Sequence, residues 1–501
     1  MTKQGTAGGK IWTAFLWVLL GLAALRLALY AQAVVSFPYQ AEMREGATVR
    51  SAMALSQGRD PWAPENAVQD LNVHGLMEPW VAAKVLGTHV GDVRAHRGLA
   101  VAVLLVGAGV AGAAFASLGA GALASSAGAL AWLGANFFFI GLTARNDAFA
   151  AVLFLLPMTL GLIVPGRPGL ALAVIAAALA PFSKAYTALA GALLVVGLWT
   201  EGRRRQAVHA GLALGVLFGS LAWAVHRSHP FYWSAVMQGG TLDAPPHWLW
   251  TQVKDFVVRD AWPLLLLAVA LGPRAWSLPR SRAVLLQTLI ALGLLVGWLG
   301  WNAGAYLQYF NQMAQPLLLL LVMAVPCEGW QARTREGLVV LAALLAVGMG
   351  TSMLYRFEPR TWKAWQDMSA RVEGAPAPLA PPLFTLLYTA VGKDLPDNGH
   401  VSGAANRPTA PFLGAPILEA YRQQMADWHR RLSRGQLDPV ILPVSEPPAP
   451  GDDAPWTADL GLYQEVDQFC LPVPLDFTGY ECFRLLRPRA ALFPVPHRGV
   501  K

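Results

Sequence analysis

Long apolar runs alternate with short polar segments along the first 355 residues. Seven runs are long enough to cross a hydrocarbon core as a helix of about 20 residues; they cover residues 11–34, 99–118, 123–142, 148–164, 207–225, 283–301 and 338–354. Four shorter runs need flanking residues to span the core, over residues 170–182, 185–199, 262–271 and 313–325. The pattern therefore predicts a mainly α, polytopic transmembrane helical bundle of about eleven helices.

A polar, acid-containing segment separates the first two apolar runs, over residues 37–97. We expect it to be a large exported loop that works at the membrane surface. Its first part predicts an amphipathic helix from Glu42 to Ser56, with Val49, Ala52, Met53 and Leu55 placed to lie on the membrane.

Hydropathy drops after residue 355, and residues 356–501 are rich in proline and polar groups. We divide the chain accordingly into a transmembrane core, residues 1–355, and a C-terminal soluble α/β or α+β domain. In the soluble part the pattern predicts a helix over residues 419–432, strands over residues 439–443 and 483–486, and a linker over residues 376–382.

Composition agrees with a membrane protein, since 55% of the 501 residues are hydrophobic and only 14% are charged; soluble domains average about 25% charged residues. The net charge of +8 does not indicate nucleic-acid binding, because the cations lie between apolar runs. With the N-terminus in the cytoplasm, alternate short loops collect lysine and arginine. This topology places residues 37–97, the turns at Arg145 and Lys184, and the C-terminal domain on the outer face.

Three cysteines are too few for a disulfide scaffold or a paired zinc ribbon, and neither CxxC nor HExxH occurs. Cys470 and Cys482 either form a disulfide in an oxidising compartment or remain two unpaired thiols. No metal-ligand cluster is evident in the sequence, and we expect no cofactor.

Several charged residues at the ends of apolar runs are candidates for chemistry. Glu42 and Glu45 are three residues apart and share one face of a helix, either as solvated charges or with one as a general base. Arg145 and Asp147 form either a water-facing turn or part of a polar cavity. Lys184 is the only charge between Arg167 and Glu201; it either extends to the interface or binds a phosphate.

Two further clusters are candidates for substrate binding. His226, Arg227 and His229 form a basic cluster near the end of one apolar run. Tyr306, Tyr309 and Gln312 belong to a polar and aromatic turn where a sugar would stack and form hydrogen bonds. The alternative for that turn is an ordinary interfacial aromatic belt.

The order of these motifs resembles the GT-C superfamily, integral-membrane glycosyltransferases that use polyprenyl-phosphate-linked sugars, in the group of protein mannosyltransferases and aminoarabinose transferases. The resemblance covers most of residues 10–355. The motifs that carry it are Glu45-Gly46 with Leu55, Gly58, Pro61 and Trp62; Asn72 to Pro79 (NVHGLMEP); Ala144 to Asp147 (ARND); Ser183 to Thr187 (SKAYT); and Gly304 to Gln312 (GAYLQYFNQ).

This chain departs from the family pattern at several of these positions. Arg44 stands where relatives often have the catalytic aspartate, and Gln312 replaces a glutamate. His74, Leu76 and Glu78 replace residues that are typically tyrosine, proline and tyrosine.

The resemblance implies transfer of a sugar from a polyprenyl-phosphate donor to a lipid, glycan or protein acceptor, by direct displacement, in a bacterial inner membrane. Glu45 is then the expected base, with Glu42 one turn earlier in reserve. Lys184, Arg145 and Arg227 are expected to stabilise the leaving phosphate, and the other substrate-binding candidates are His74, Asp147, Tyr306, Tyr309 and Gln312. The alternatives are a lipid or glycan transporter or flippase, and a non-catalytic relative that acts in envelope assembly.

Overall fold

The computed structural model describes residues 7–42, 44–138, 141–237, 246–301, 307–357, 359–393, 414–444, 460–475 and 480–489. Its helices are α1 (Ala7–Ser36), α2 (Glu45–Ser56), α3 (Pro64–Asp70), α4 (Met77–Val85), α5 (Val93–Ser117), α6 (Ala122–Phe137), α7 (Asp147–Ile163), α8 (Gly166–Leu179), α9 (Leu189–Thr200), α10 (Arg204–Ser228), α11 (Tyr232–Met237), α12 (Pro246–Asp255), α13 (Trp262–Ser277), α14 (Pro279–Gly297), α15 (Leu307–Ala324), α16 (Gly329–Gly350), α17 (Pro359–Glu373), α18 (Thr385–Ala390) and α19 (Ala415–Ser433). Its strands are β1 (Val440–Pro443), β2 (Tyr463–Pro472) and β3 (Tyr480–Pro488).

Each of the eleven predicted apolar runs lies wholly or largely in helical segments, which confirms the polytopic helical bundle. Within the described residues, five helices are long and apolar enough to cross a membrane, namely α1, α5, α10, α14 with the 3₁₀ turn after it, and α16 with its C-terminal extension. The pair α12 and α13, bent by 81°, adds a sixth if it forms one span. Helices suit such segments because their backbone groups form hydrogen bonds within the segment, where lipid offers no partner.

The centre of the bundle is α15. Every residue from Phe310 to Met323 is buried, whereas an ordinary surface helix is apolar on one stripe only. The helix packs against α6, α7, α13 and α14, and its Asn311 and Gln315 donate hydrogen bonds to the carbonyls of Ala135 and Ala131 of α6. This position fixes the first turn of α15 next to the start of α7.

The segment between α1 and α5 folds into three short helices, α2, α3 and α4. Contrary to the prediction, the apolar face of α2 does not lie on the membrane. Val49 and Ala52 are fully buried in the protein, and Val49 packs against Val93 and Ala144. Amphipathic periodicity predicts that the apolar face of a helix is buried, but not whether lipid or protein covers it. The apolar face of α2 is covered by protein.

The C-terminal part has α+β character. The described strands form an antiparallel sheet in the order β1-β3-β2. The predicted helix is found as α19, and the predicted strands are β1 and part of β3. The prediction missed β2, whose central residues are mostly exposed and therefore give no apolar signal. Residues 376–382 are not a free linker, because Leu379 is buried and its N–H donates to the Pro439 carbonyl at 2.9 Å.

This C-terminal part packs directly on the loop helices. Tyr421, Met425 and Trp428 of α19 share a buried cluster with Trp62 and Leu71. Trp365 of α17 lies in a second cluster with Phe37 and Ala41. The segment that precedes α2 is therefore enclosed between the bundle and the C-terminal domain.

The strands β2 and β3 carry the two cysteines whose pairing the sequence left open. Cys470 lies opposite Cys482 in the sheet, and the two side chains form a disulfide. At the end of β2 that carries this bond, the Leu475 N–H donates to the Ala41 carbonyl at 2.9 Å.

Candidate active site

Polar groups from separate parts of the chain meet at one end of the bundle. They come from the segment before α2, the Asn72 to Leu76 segment, the start of α7, the turn at Lys184 and the first turns of α15. The contacts join residues up to 165 positions apart in the sequence. We call Glu42, His74, Arg145, Asp147, Lys184 and Gln312 the polar centre.

Glu45 lies beside the polar centre in a closed hydrogen-bond arrangement. Its Oε1 accepts from Arg97 Nε at 2.8 Å and from the Ala144 N–H at 3.1 Å. Its Oε2 accepts from Arg97 Nη2 at 2.6 Å and from the Ala41 N–H at 2.7 Å. Glu45 and Arg97 are both fully buried. The bidentate pair therefore connects α2, α5 and the turn before α7.

The surroundings also set the ionisation of Glu45. Burial alone raises the pKa of its carboxyl, but the charge and hydrogen bonds of Arg97 and the N–H groups of Ala144 and Ala41 outweigh that effect. The net pKa lies below the ordinary value of 4.5. Low basicity and four hydrogen bonds leave this carboxylate poorly suited to accept a proton from a substrate.

Glu42 is held more loosely. Its side chain is 10% exposed, and its Oε1 lies 3.4 Å from Arg145 Nη1. Its Oε2 accepts from the Arg44 N–H at 2.9 Å. The prediction ranked Glu45 first as the base and Glu42 second; of the two carboxylates, Glu42 is the more accessible and accepts fewer hydrogen bonds.

Asp147 joins the two main cations of the polar centre. Lys184 Nζ lies 2.6 Å from Asp147 Oδ1, and Arg145 Nε lies 3.5 Å from Asp147 Oδ2. Gln312 Nε2 donates to the same Oδ1 at 3.4 Å. Of the two alternatives for the ARND turn, the water-facing turn does not hold, because the side chains of Arg145, Asp147, Lys184 and Gln312 are all buried.

Lys184 is buried beside a second cation. Burial lowers the pKa of its ammonium, Asp147 raises it, and the positive charges of Arg145 and Arg44 lower it again. The net pKa is below 10.5. Arg44, Arg145 and Lys184 exceed Glu42 and Asp147 by one positive charge when all are ionised, so an anion entering here would be stabilised.

Aromatic rings cover one side of Lys184. Its Nζ lies 5.9 Å from the ring centroid of Tyr186 and 5.7 Å from that of Tyr309. The Tyr186 hydroxyl donates to Gln312 Oε1. Tyr309 and Gln312 belong to the first turns of α15, and not to the turn that the sequence predicted. Tyr306 lies outside the described residues.

Backbone contacts fix the segments that carry these side chains. Asn146 donates from Nδ2 to the Gly75 carbonyl at 3.1 Å, and its Oδ1 accepts from the Glu78 N–H at 2.8 Å. The Leu76 N–H donates to the Phe182 carbonyl at 2.7 Å. Gly75 has φ +124°, and a Cβ there would lie 2.3 Å from the Ser183 carbonyl oxygen. The NVHG, ARND and SKAYT motifs are therefore in direct contact.

The remaining predicted residues have different positions. Arg145 Nη2 donates to His74 Nε2 at 3.2 Å, which brings His74 into the polar centre. Arg227 is exposed on α10 with its guanidinium over Trp223. In the described part of the chain none of its contacts reaches the polar centre, so the phosphate role of Arg227 stays a prediction without a contact to support it. His229 instead pairs with Asp60 at 2.9 Å.

The sequence analysis did not identify Arg97 as part of the site. Its guanidinium also donates to the carbonyls of Val34, Phe37 and Tyr39. A charged residue in the first turns of an apolar helix, as in VRAHRG, was the available signal. Among the described residues, no group of three or more His, Cys, Asp or Glu is arranged to hold a metal ion.

Solved structures share this architecture. The crystal structure of ArnT from Cupriavidus metallidurans bound to undecaprenyl phosphate matches with a TM-score of 0.57 and 15% sequence identity, over 93% of this chain and 98% of that one. The chain has the fold of ArnT. The apo form of ArnT matches with a TM-score of 0.53 and 14% identity, over 85% of this chain and 92% of that one.

The match to ArnT confirms, at the level of the fold, the resemblance to GT-C transferases that the motif order predicted. No protein-family model matches the chain, and no curated protein matches it. The similarity to ArnT therefore lies in the arrangement of helices and of the C-terminal domain.

Proposed function

We propose that this protein is a membrane glycosyltransferase that moves a sugar from a polyprenyl-phosphate donor to an acceptor hydroxyl. The observation that carries the proposal is the polar centre, in which a loosely held carboxylate lies beside buried cations. The ArnT fold supports it, because the matched ArnT structure binds undecaprenyl phosphate.

The proposed reaction is a direct displacement at the anomeric carbon. The acceptor oxygen forms a bond to that carbon while its proton passes to Glu42. The bond between the anomeric carbon and the phosphate oxygen breaks, and its electron pair remains on the leaving phosphate. Arg145 and Lys184 stabilise the charge that develops there, and Tyr309 and His74 contact the substrate.

Glu45 has a different role in this proposal. Together with Arg97 it holds Ala41 and Ala144, the residues adjacent to Glu42 and Arg145. It positions the base and the phosphate-binding cation, and it takes no proton.

The first test is Glu42→Gln, assayed for sugar transfer from a polyprenyl-phosphate-linked donor. General-base removal lowers rates by about 10²- to 10⁴-fold, and we expect a loss in this range with an unchanged melting temperature. Glu65→Gln is the matched control, since Glu65 is exposed in the same loop. Full activity of Glu42→Gln would remove the base assignment, and a wild-type protein without transfer would favour the transporter or assembly alternatives.

The second test concerns the phosphate-binding role of Lys184. Lys184→Ala alone leaves the buried Asp147 carboxylate without its ammonium partner, which destabilises a fold by about 3–5 kcal/mol. The double variant Lys184→Gln with Asp147→Asn removes both charges and keeps a hydrogen-bonding pair. We expect a folded protein with weaker binding of polyprenyl phosphate, the part that the donor and the leaving lipid share, measured by titration. Unchanged affinity for polyprenyl phosphate would contradict the role of Lys184.

A further inference from the structure

A buried histidine outside the polar centre contacts two acceptor oxygens. His96, in the first turns of α5, and Glu78, in the first turn of α4, are both buried. His96 Nδ1 lies 2.6 Å from Glu78 Oε1, and His96 Nε2 lies 2.7 Å from the Val90 carbonyl oxygen. A neutral imidazole has one N–H and donates to only one of these oxygens. The two contacts therefore require one additional proton, on Nδ1 or on the carboxyl of Glu78.

The carboxyl of Glu78 depends on that proton. In the described part of the chain, its buried Oε2 has no hydrogen-bond partner, and His96 contacts its other oxygen. Without the proton, an ionised carboxylate would remain buried beside a neutral ring, and either the Glu78 contact or the Val90 contact would lack a donor. A buried polar group without a partner is unfavourable. Deprotonation should therefore open one of the two contacts.

The other charges near His96 are already paired. The charge of Glu45 reaches the imidazole ring from α2, and Arg97 neutralises it in a buried pair. Asp92, which precedes α5, pairs with Arg94 at 2.8 Å. Glu78 is thus the carboxylate whose charge balance depends on His96.

The backbone of Glu78 connects this pair to the polar centre. The Glu78 N–H donates to Asn146 Oδ1 at 2.8 Å, and Asn146 lies between Arg145 and Asp147. The contact with His96 joins α5 to the start of α4, and the start of α4 holds the ARND turn. Opening the contact would therefore shift the two charged side chains of that turn.

We propose that His96 and Glu78 form a positioning pair, which holds the ARND turn in place only while the pair retains one shared proton. Alkaline pH removes this proton and lowers transfer. The part of this inference that concerns catalysis rests on the proposed function, and neither residue touches the substrate in the proposed reaction. The loss lies on the alkaline side, whereas protonation of the base Glu42 lowers transfer on the acidic side.

The test compares the pH profiles of sugar transfer in the wild type and Glu78→Gln. The glutamine amide donates to Nδ1 of neutral His96 while Nε2–H donates to Val90, so this variant keeps both contacts without the additional proton. We expect wild-type transfer to fall toward alkaline pH in a single-proton step, and Glu78→Gln to lose this step. Glu78→Leu, which cannot form the contact, should lower transfer at every pH.

His89→Gln is the control for histidine titration, because His89 is an exposed histidine of the same loop. It should retain the wild-type profile. Equal alkaline losses of transfer in the wild type and Glu78→Gln would overturn the positioning pair.

Melting temperatures over the same range provide a readout that needs no transfer. An unfolded histidine releases its proton near pH 6.5. A proton that the folded pair retains above this pH adds stability, which is fully present below pH 6.5 and is lost as the pH rises until the pair releases the proton. The wild type should lose stability toward alkaline pH, and Glu78→Gln should lose less. A wild type whose melting temperature and transfer both stay constant between about pH 6 and 9 would overturn the inference without any variant.

The two readouts separate this inference from the proposed function. A protein that transfers sugar, but whose alkaline loss of melting temperature is the same in Glu78→Gln, refutes the positioning pair and leaves the reaction. A Glu78-dependent loss of melting temperature with an unchanged transfer profile refutes the connection to the polar centre. A Glu78-dependent loss in a protein that transfers no sugar refutes the proposed reaction and leaves the shared proton.

Discussion

Two carboxylates one turn apart differ in their surroundings. Glu45 accepts four hydrogen bonds and is fully buried, while Glu42 makes a longer contact with Arg145 and remains partly accessible. Residue type and spacing describe both as acids on a helix face. The difference comes from Arg97, which lies 52 residues from Glu45 in the sequence and pairs with it in the fold. This pairing makes Glu45 a positioning residue and leaves Glu42 as the candidate base.

The Glu45–Arg97 pair should make stability depend on pH. Because the pKa of folded Glu45 lies below its ordinary value of 4.5, ionisation stabilises the fold fully above pH 4.5. That contribution is lost as the pH falls through the lower folded pKa. Removing one partner of a buried pair costs about 3–5 kcal/mol, so Glu45→Gln should melt well below the wild type at neutral pH.

Melting temperatures measured across the acidic range test this prediction. The difference between the wild type and Glu45→Gln should shrink below pH 4.5. Glu65→Gln supplies the comparison for an exposed acid of the same loop. A constant difference across that range would show that ionised Glu45 is not the source of the stability.

At the scale of elements, the site depends on segments between helices. The Gly75, Asn146 and Ser183 segments are in direct contact, and the helices on either side hold their ends in place. The sequence predicted most of these helices, because apolar runs of the required length are explicit in it. It did not predict that α2 packs on Val93 and Ala144, because an amphipathic face fits lipid and protein equally well.

Gly75 provides a test of this junction. Alanine at φ +124° is strained by about 1–3 kcal/mol. Its Cβ would also lie only 2.3 Å from the Ser183 carbonyl oxygen, so that this carbonyl would have to move. We expect Gly75→Ala to lower both the melting temperature and sugar transfer.

The control for this change is Gly87→Ala in the same loop. Gly87 also has a positive φ, +54°, but a Cβ there meets no atom within 4 Å. It should lower the melting temperature slightly and leave transfer unchanged. Equal effects of the two substitutions would argue against a special role for the Gly75 contact.

At the scale of the whole molecule, the C-terminal domain closes over the loop that carries the candidate base. The Leu386 N–H donates to Gln40 Oε1 at 2.8 Å, and the Leu475 N–H donates to the Ala41 carbonyl. A Cβ at Gly46 would lie 2.5 Å from Thr385 Cβ. The domain therefore packs on the residues on either side of Glu42 and Glu45, a role that composition did not indicate.

The disulfide of this domain allows a test of its contribution. Cys470 and Cys482 are separated by 12 residues, and closing a loop of this size stabilises by at most about 3 kcal/mol. Replacing both with serine should lower the melting temperature and reduce transfer, because the Leu475 contact to Ala41 follows directly after β2. Cys327→Ser is the control, because Cys327 forms no disulfide in the described part of the chain. It should change neither the melting temperature nor sugar transfer.

Thiol labelling of the protein isolated from cells checks the pairing itself. We expect Cys327 to react with a thiol reagent under denaturing conditions, and Cys470 and Cys482 to react only after reduction. The disulfide also supports an outer location of the domain, since disulfides persist in oxidising compartments. Reactive Cys470 and Cys482 without reduction would contradict both expectations.

By itself, the sequence determined the helical bundle, because each membrane crossing requires a long apolar run that is visible without other information. It also determined the order of the polar motifs and hence the expected fold. The tertiary structure decided which charges meet. Arg97 joins Glu45, Lys184 joins Asp147, and Arg227 stays apart. The physical reason is that ion pairing depends on distances of a few ångströms between residues far apart in the chain, and these distances exist only after the helices pack.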